Sequence, residues 1–444
     1  MSINRRQFLK SAAAVAGASL SVGGCDRAVD GGGGPGNPLL RGLPGGDYFA
    51  QVARDLSDAG HGTPQILIDL DRLDSNADAI VGEIGRDRYR IVEKSLPSID
   101  LLGYIRSRTG VDRFLVLHLP FLPALLAAFP TAEVLVGKVQ PTAAVRQLLT
   151  GLSPADRAQA AARVTFLVDT RARLDELVGL ASSLSLTLLV GVEIDVGLHR
   201  GGVRWPSGLA DVLAGFGRSP GAVRFAGMLG YDGHIPGTPV APGLKLAGMH
   251  AAYRAVEASY RSFIEVVKSD FPALWRDDLR FNSGGSATYP LHHGGVVNDV
   301  AAGGGMLRPA AYPDTLISAL TPALFIAAPV LAHFDAVEIP FVTQPARSLL
   351  DGDQSFTIYG GGWAAVFVWP PGVDLAPLVS DPENENLVPN ETLLVAPSAP
   401  SIGPGDWVFQ QPRLADAIFQ FEDILLVRGG RLQSDRFRAY PRRY

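Results

Sequence analysis

From Gln65 to Ala301 one pattern recurs: a short apolar run rich in β-formers, then a longer stretch with apolar residues every third or fourth place. The runs read as strands at 65–70, 88–93, 113–117, 133–136, 164–168, 187–194, 224–229, 278–282 and 298–301. Between them the spacing predicts helices. Leu73, Ala77, Ile80 and Ile84 share one face after Asp71, the expected N-cap, and Leu174, Leu177, Leu180 and Leu184 share one after Thr170. A third helix is expected over 244–267. Strands alternating with helices pair in parallel, so the chain must build a closed barrel or a doubly wound sheet. Nine strands are one more than a (β/α)8 barrel needs.

Past about Leu320 the helical period fades, and Pro, Gly and β-formers take over. Strands are expected there at 356–359, 366–369, 407–410, 417–421 and 424–428, in a mainly antiparallel β domain. The 444 residues, 47% hydrophobic and 19% charged, suffice for one large domain and a smaller one. A net charge of −5 without basic clusters argues against nucleic acid as partner.

The chain opens with a targeting pattern. Arg5-Arg6-Gln7-Phe8-Leu9-Lys10 is a twin-arginine motif, and the small apolar run from Ser11 to Val22 is short for a membrane span. Val22-Gly23-Gly24-Cys25 resembles a bacterial lipoprotein cleavage site with Cys25 as the lipidated residue, so the membrane is expected only through a lipid anchor. Cys25 is the sole cysteine, which leaves no intrachain disulfide and no thiolate in the folded body. The twin-arginine route carries folded proteins, which suits an enzyme that takes up a cofactor before export to the periplasm. The expected organisation is a signal over 1–25, a Gly/Pro linker over 26–60, a barrel over 61–320 and a β domain over 321–444.

Chemistry gathers at the predicted strand ends. Lys94 ends Arg90-Ile91-Val92-Glu93-Lys94, where burial at a barrel rim would lower an amine pKa and ready it for imine formation; alone, it also suits the end of an exposed edge strand. Val192 to Val203 sets acids, His199 and Arg200 past a strand end. One strand later, Tyr231 can stack or hydrogen-bond and His234 can move protons near neutral pH. Asn282, Ser283, Gly284, Gly285 and Ser286 then form a Gly-rich strand end whose backbone N–H groups can wrap a phosphate. An amine, a phosphate cradle and a proton carrier together are what pyridoxal 5′-phosphate requires.

These stretches resemble the fold-type III pyridoxal-phosphate family, in particular its D-threonine aldolase and D-serine dehydratase group. Thr63-Pro64 leading into Leu67-Ile68-Asp69-Leu70 resembles the group's opening, and Val192–Val203 its Glu-Ile-Asp-x-Gly-x-x-Arg-x-Gly-Val run. By that resemblance Lys94 is the Schiff-base lysine, Tyr231 the active-site tyrosine and 282–290 the phosphate loop. It also implies that the first strand joins the C-terminal β domain, leaving eight for the barrel, and that the protein is a homodimer. The implied activity is that of a lyase on D-amino acids or 3-hydroxy amino acids, with racemisation, or binding without turnover, as alternatives.

Two departures stand out. The group's Arg-Pro-His-x-Lys-Thr-His-Lys segment has Ile91, Val92, Leu96 and Pro97 in place of its Pro, two His and final Lys. Where the group places a His-x-Cys metal pair, this chain reads Gln411-Pro412-Arg413-Leu414-Ala415-Asp416, so no metal is expected.

Overall fold

The computed structural model describes residues 41–241, 243–312, 315–336, 353–375, 390–397 and 402–440. The expected signal and Cys25 lie outside them. The chain divides into two compact units, each described here by itself.

The first unit takes in Asp87–Ile91 and Asp112–Ala302. The elements from the start of the described chain through this unit are α1 (Gly46–Asp58), β1 (Gln65–Asp69), α2 (Leu70–Ile84), β2 (Tyr89–Val92), α3 (Ile99–Thr109), β3 (Arg113–Val116), α4 (Leu122–Ala128), β4 (Glu133–Val136), α5 (Thr142–Gly151), α6 (Pro154–Arg163), β5 (Val164–Val168), α7 (Arg171–Ser183), β6 (Leu188–Glu193), α8 (Pro206–Phe216), β7 (Val223–Leu229), α9 (Lys245–Asp270), β8 (Arg280–Ser283) and β9 (Asp299–Ala302). Strands β2 to β9 form a closed barrel, with β9 running parallel to β2 through Tyr89↔Val300 and Arg90↔Ala301. The sequence-predicted barrel strands are therefore all present, shifted by a residue or two at their ends.

A buried ion pair lies within the barrel wall. Arg90 on β2 is 1% exposed; its Nε donates to Asp299 Oδ2 at 2.7 Å, Nη1 to the Phe114 carbonyl at 3.1 Å, and Nη2 to Glu133. Burial penalises its charge, but the carboxylates of Asp299 and Glu133 outweigh that and raise its pKa. The Arg90–Asp299 pair bridges the first and last strands, where the cylinder closes.

The second unit holds Gly31–Arg86, Val92–Val111 and Gly303–Tyr444. Its strands beyond β1 are β10 (Leu324–Phe334), β11 (Asp353–Tyr359), β12 (Ala365–Trp369), β13 (Asp374–Leu375), β14 (Glu391–Pro397), β15 (Trp407–Pro412), β16 (Asp423–Arg428) and β17 (Arg431–Arg438). The sheet runs β13-β14-β11-β10-β1-β16-β17, with β15 pairing β10 and β12. β1 is antiparallel to β10 and parallel to β16, as the resemblance implies for the ninth strand.

Four expectations are corrected here. Residues 46–58 are helix, not linker: Phe49, Val52 and Leu56 of α1 bury against Leu67, Phe325 and Trp407, and Asp55 accepts Arg431 Nε at 2.8 Å. The flanking glycines hide that apolar stripe from a composition-based reading. The compact units also do not divide at residue 320, because 92–111 and 303–320 cluster with the sheet. Asp69, not Asp71, caps α2, its carboxylate accepting the N–H groups of Asp71 and Arg72. Finally, 417–421 is no strand: Ala415–Gln420 forms a 3-10 helix.

Asp299→Ala leaves Arg90 buried with half its charge partners. Urea unfolding should show a loss of about 3 kcal/mol, whereas Arg90→Met with Asp299→Leu should cost clearly less.

Candidate active site

Lys94 follows the last residue of β2 by two positions, in a 3-10 turn spanning Glu93–Ser95. Glu93 and Ser95 are buried and Lys94 is exposed. The expected burial of the amine is therefore not found: the turn spends its two buried positions on the flanking residues.

Glu93 is the unusual member of the turn. It is fully buried, and neither carboxyl oxygen has a hydrogen-bond partner among the described residues. Burial pushes its pKa up to about 8. Within the same unit, Tyr440 N–H donates to the Pro97 carbonyl at 2.7 Å, and Glu93, after burial itself, helps raise the Tyr440 hydroxyl pKa.

In the barrel unit, Tyr231 follows β7 and the Gly-rich loop follows β8. The Tyr231 ring lies between two glycines. A Cβ on Gly233 would fall 2.3 Å from its Cε1, and one on Gly285 would fall 3.2 Å from its Cε2. Above the ring, the Arg200 guanidinium stands 4.6 Å from the centroid, and its Nε is 3.7 Å from Glu193 Oε1. Glu193 ends β6, so residues from three successive strand ends meet at one aromatic ring: a charged pair after β6 and glycines after β7 and β8.

The phosphate-loop residues divide in two. Asn282 and Ser283 are buried and turn inward: Asn282 Nδ2 donates to the Asp299 carbonyl at 3.2 Å, and Ser283 Oγ to the Gly230 carbonyl at 2.7 Å. Their side chains brace the wall, and Tyr260 from α9 adds its hydroxyl to Gly230 N–H at 2.6 Å. Gly284, Gly285 and Ser286 follow as the turn, with Gly284 at φ +92° and the Gly285 carbonyl accepting Thr288 N–H at 3.0 Å. Backbone N–H groups, rather than these side chains, are what such a turn offers an anion.

His234 is half-buried, and its Nδ1 has no partner among the described residues. Burial holds its pKa below the ordinary histidine value; Asp232 opposes this, His199 adds to it, and Asp195 opposes it. It is thus neutral at pH 7 and able to take a proton.

Tyr231, His234 and 282–286 are therefore brought together at neighbouring strand ends of one unit, while Lys94 belongs to the other. The sequence reading gave no role to Arg200 or Glu193, although both lie in the Val192–Val203 run. Thr288 and His292 likewise had no role, and neither had Asp232, one of the two residues between Tyr231 and His234. Where the resemblance would place a metal pair, Gln411 Nε2 donates to the Arg308 carbonyl at 2.8 Å and Pro412 offers no ligand atom, and among the described residues no group of three or more His, Cys, Asp or Glu could hold a metal ion.

The Glu93 carboxyl titrates from 4.5 in the unfolded chain to about 8 in the fold. The stability it permits is complete below the lower value and falls as pH rises through the upper one. Glu93→Gln should remove that slope and unfold at higher urea than the parent above pH 8, by on the order of a few kcal/mol. Urea midpoints of both proteins between about pH 4 and pH 9 check this.

Residues 68–266 match the model of the alanine racemase N-terminal domain, and residues 2–21 match that of the TAT (twin-arginine translocation) pathway signal sequence. No curated protein sequence matches the chain. Among solved structures, D-threonine aldolase from Filomicrobium marinum is similar with a TM-score of 0.62 at 18% identity, over 85% of this chain and 96% of that one. D-threo-3-hydroxyaspartate dehydratase from Delftia sp. HT23 gives 0.62 at 17%, over 86% and 98%. Alanine racemase from Bacillus anthracis gives 0.59 at 16%, over 85% and 98%. At such identities the likeness is one of fold.

Proposed function

We propose that this chain, whose barrel carries an alanine racemase N-terminal domain, is an exported pyridoxal 5′-phosphate-dependent lyase of D-amino acids or 3-hydroxy amino acids. The observation that carries the reading is the clamped Tyr231 ring beside a Gly-rich turn, in a barrel whose first strand leads directly into Lys94. These residue types suit the cofactor: in the barrel unit an aromatic ring beside a turn rich in backbone donors, and in the other unit an exposed amine. When bound, pyridoxal 5′-phosphate supplies an aldehyde for an amine and a ring that withdraws electrons from the substrate Cα.

Lys94 supplies the amine that holds the cofactor and afterwards accepts a proton as a base. Gly284, Gly285 and Ser286 hold the phosphate through their backbone, with Asn282 and Ser283 fixing the strand end beneath them. Tyr231 positions the ring, steadied by Arg200. His234, kept neutral by burial, takes a proton from the substrate or returns one to it. The likeness in fold to an aldolase and a dehydratase supports bond cleavage beyond Cα. Racemisation is the second reading, favoured by the barrel's match to a racemase domain.

Purified protein given the cofactor should show a visible absorbance band that borohydride fixes and that Lys94→Ala lacks. D-Threonine or D-serine should release aldehyde or ammonia, with turnover falling as pH drops below the ordinary histidine range. Interconversion of D- and L-alanine without release would replace lyase by racemase. The band without any product would leave a binding protein, and its absence would end the assignment.

The same reading makes the protein a periplasmic homodimer tethered by a lipid on Cys25. Among the described residues no helix is long and apolar enough to cross a membrane. Cys25→Ser should move the protein from the membrane to the soluble fraction, and sedimentation of that variant should give twice the chain mass. Retention in the membrane or a monomer mass would refute the respective part.

A further inference from the structure

A buried pair lies behind the Tyr231 ring that the proposed chemistry does not use. Asp232 follows Tyr231 directly, and its side chain and that of His292 are both 0% exposed. Each carboxylate oxygen accepts one bond from the segment between β8 and β9: Oδ1 from Thr288 Oγ1 at 2.9 Å, and Oδ2 from His292 Nε2 at 2.8 Å. Both donors are fixed in turn. Thr288 N–H closes the glycine turn onto the Gly285 carbonyl at 3.0 Å. His292 donates its N–H to the Tyr289 carbonyl at 3.1 Å, and its own carbonyl accepts Arg88 Nη2 at 2.7 Å. The Tyr253 ring meets the imidazole edge-on, with centroids 4.8 Å apart.

We infer that Asp232 is a positioning residue that locks the Tyr231 turn to the glycine loop through Thr288 and His292, and thereby sets the affinity of that loop for the cofactor's phosphate. The inference rests on the pyridoxal-phosphate reading above. A buried carboxylate contributes little net stability, yet it fixes one arrangement firmly, because any other leaves its charge unpaired. Only one arrangement matters here. The Tyr231 ring can press against Gly285 only while the two strand ends keep their spacing. Thr288 is bonded to Asp232 on one side and to Gly285 on the other, so losing the Asp232 bond frees the end of the turn that presents backbone donors. The Asp232 bonds run to Thr288 and His292, so Asp232 acts through the loop and not on the substrate.

The test compares the full chain with Asp232→Asn and Thr288→Val, measuring the dissociation constants of pyridoxal 5′-phosphate and of pyridoxal, which lacks the phosphate. The parent should prefer the phosphorylated form. Each variant should lower that preference by about tenfold, the worth of one charged hydrogen bond, while the absorbance band at saturation keeps its position. Amide exchange over 284–291 in the cofactor-free variants should speed up. Thr288→Val keeps the Asp232–His292 pair and the side-chain size, so it serves where Asp232→Asn fails to fold. An unchanged preference, or an equal loss for both compounds, overturns the inference. If the parent binds neither compound, the cofactor reading has failed instead; amide exchange then decides the brace alone, and unchanged rates over 284–291 reject it.

Discussion

The barrel depends on the seam where its first and last strands meet, and the buried bond between Arg90 and Asp299 lies on that seam. Parallel strands buried on both faces offer little but aliphatic contact to fix their register. A guanidinium shared between Asp299 on β9, Glu133 on β4 and the Phe114 carbonyl on β3 fits only one register. The cost of desolvating the Arg90 charge is offset by the carboxylates of Asp299 and Glu133, the latter also 3.7 Å from Arg280 Nη2.

The strand ends show a division of labour. Charged groups from the end of β6 stand over the Tyr231 ring, while side chains from β8 turn back into the wall beneath a largely buried glycine turn. A braced strand end followed by a turn of backbone N–H groups suits recognition of an anion at one end of a flat ligand. The neutral imidazole of His234 adds a proton acceptor without adding a charge that would compete for that anion.

Much of the barrel was legible because its signals are periodic. Glu133–Val136 and Val164–Val168 were read to the residue, since each apolar run is bounded by polar or turn residues. α1 escaped because its stripe of Phe49, Val52 and Leu56 sits beside a glycine run that dominates any count of composition. Ala417–Phe421 misled for the opposite reason: a short apolar run looks the same whether it pleats or coils. At the candidate site, the sequence draws attention to residues with a motif around them and not to residues set apart by burial. Nothing in the string marks Glu93 as a carboxyl without partners, nor His292 as the partner of Asp232, because both properties arise from segments far apart in the sequence.

β1 lies between β10 and β16 in the middle of its sheet. It is made early and finds neither neighbour until Leu324–Phe334 and Asp423–Arg428 have left the ribosome. Throughout synthesis its two hydrogen-bonding edges stand open, which invites wrong pairing. The sheet unit therefore closes only after β16 has been made, through contacts distant along the chain and slow to form. A message cut short before β16 would yield a polypeptide with an unsatisfied strand at its centre, fit for proteolysis rather than for a transporter that passes finished proteins.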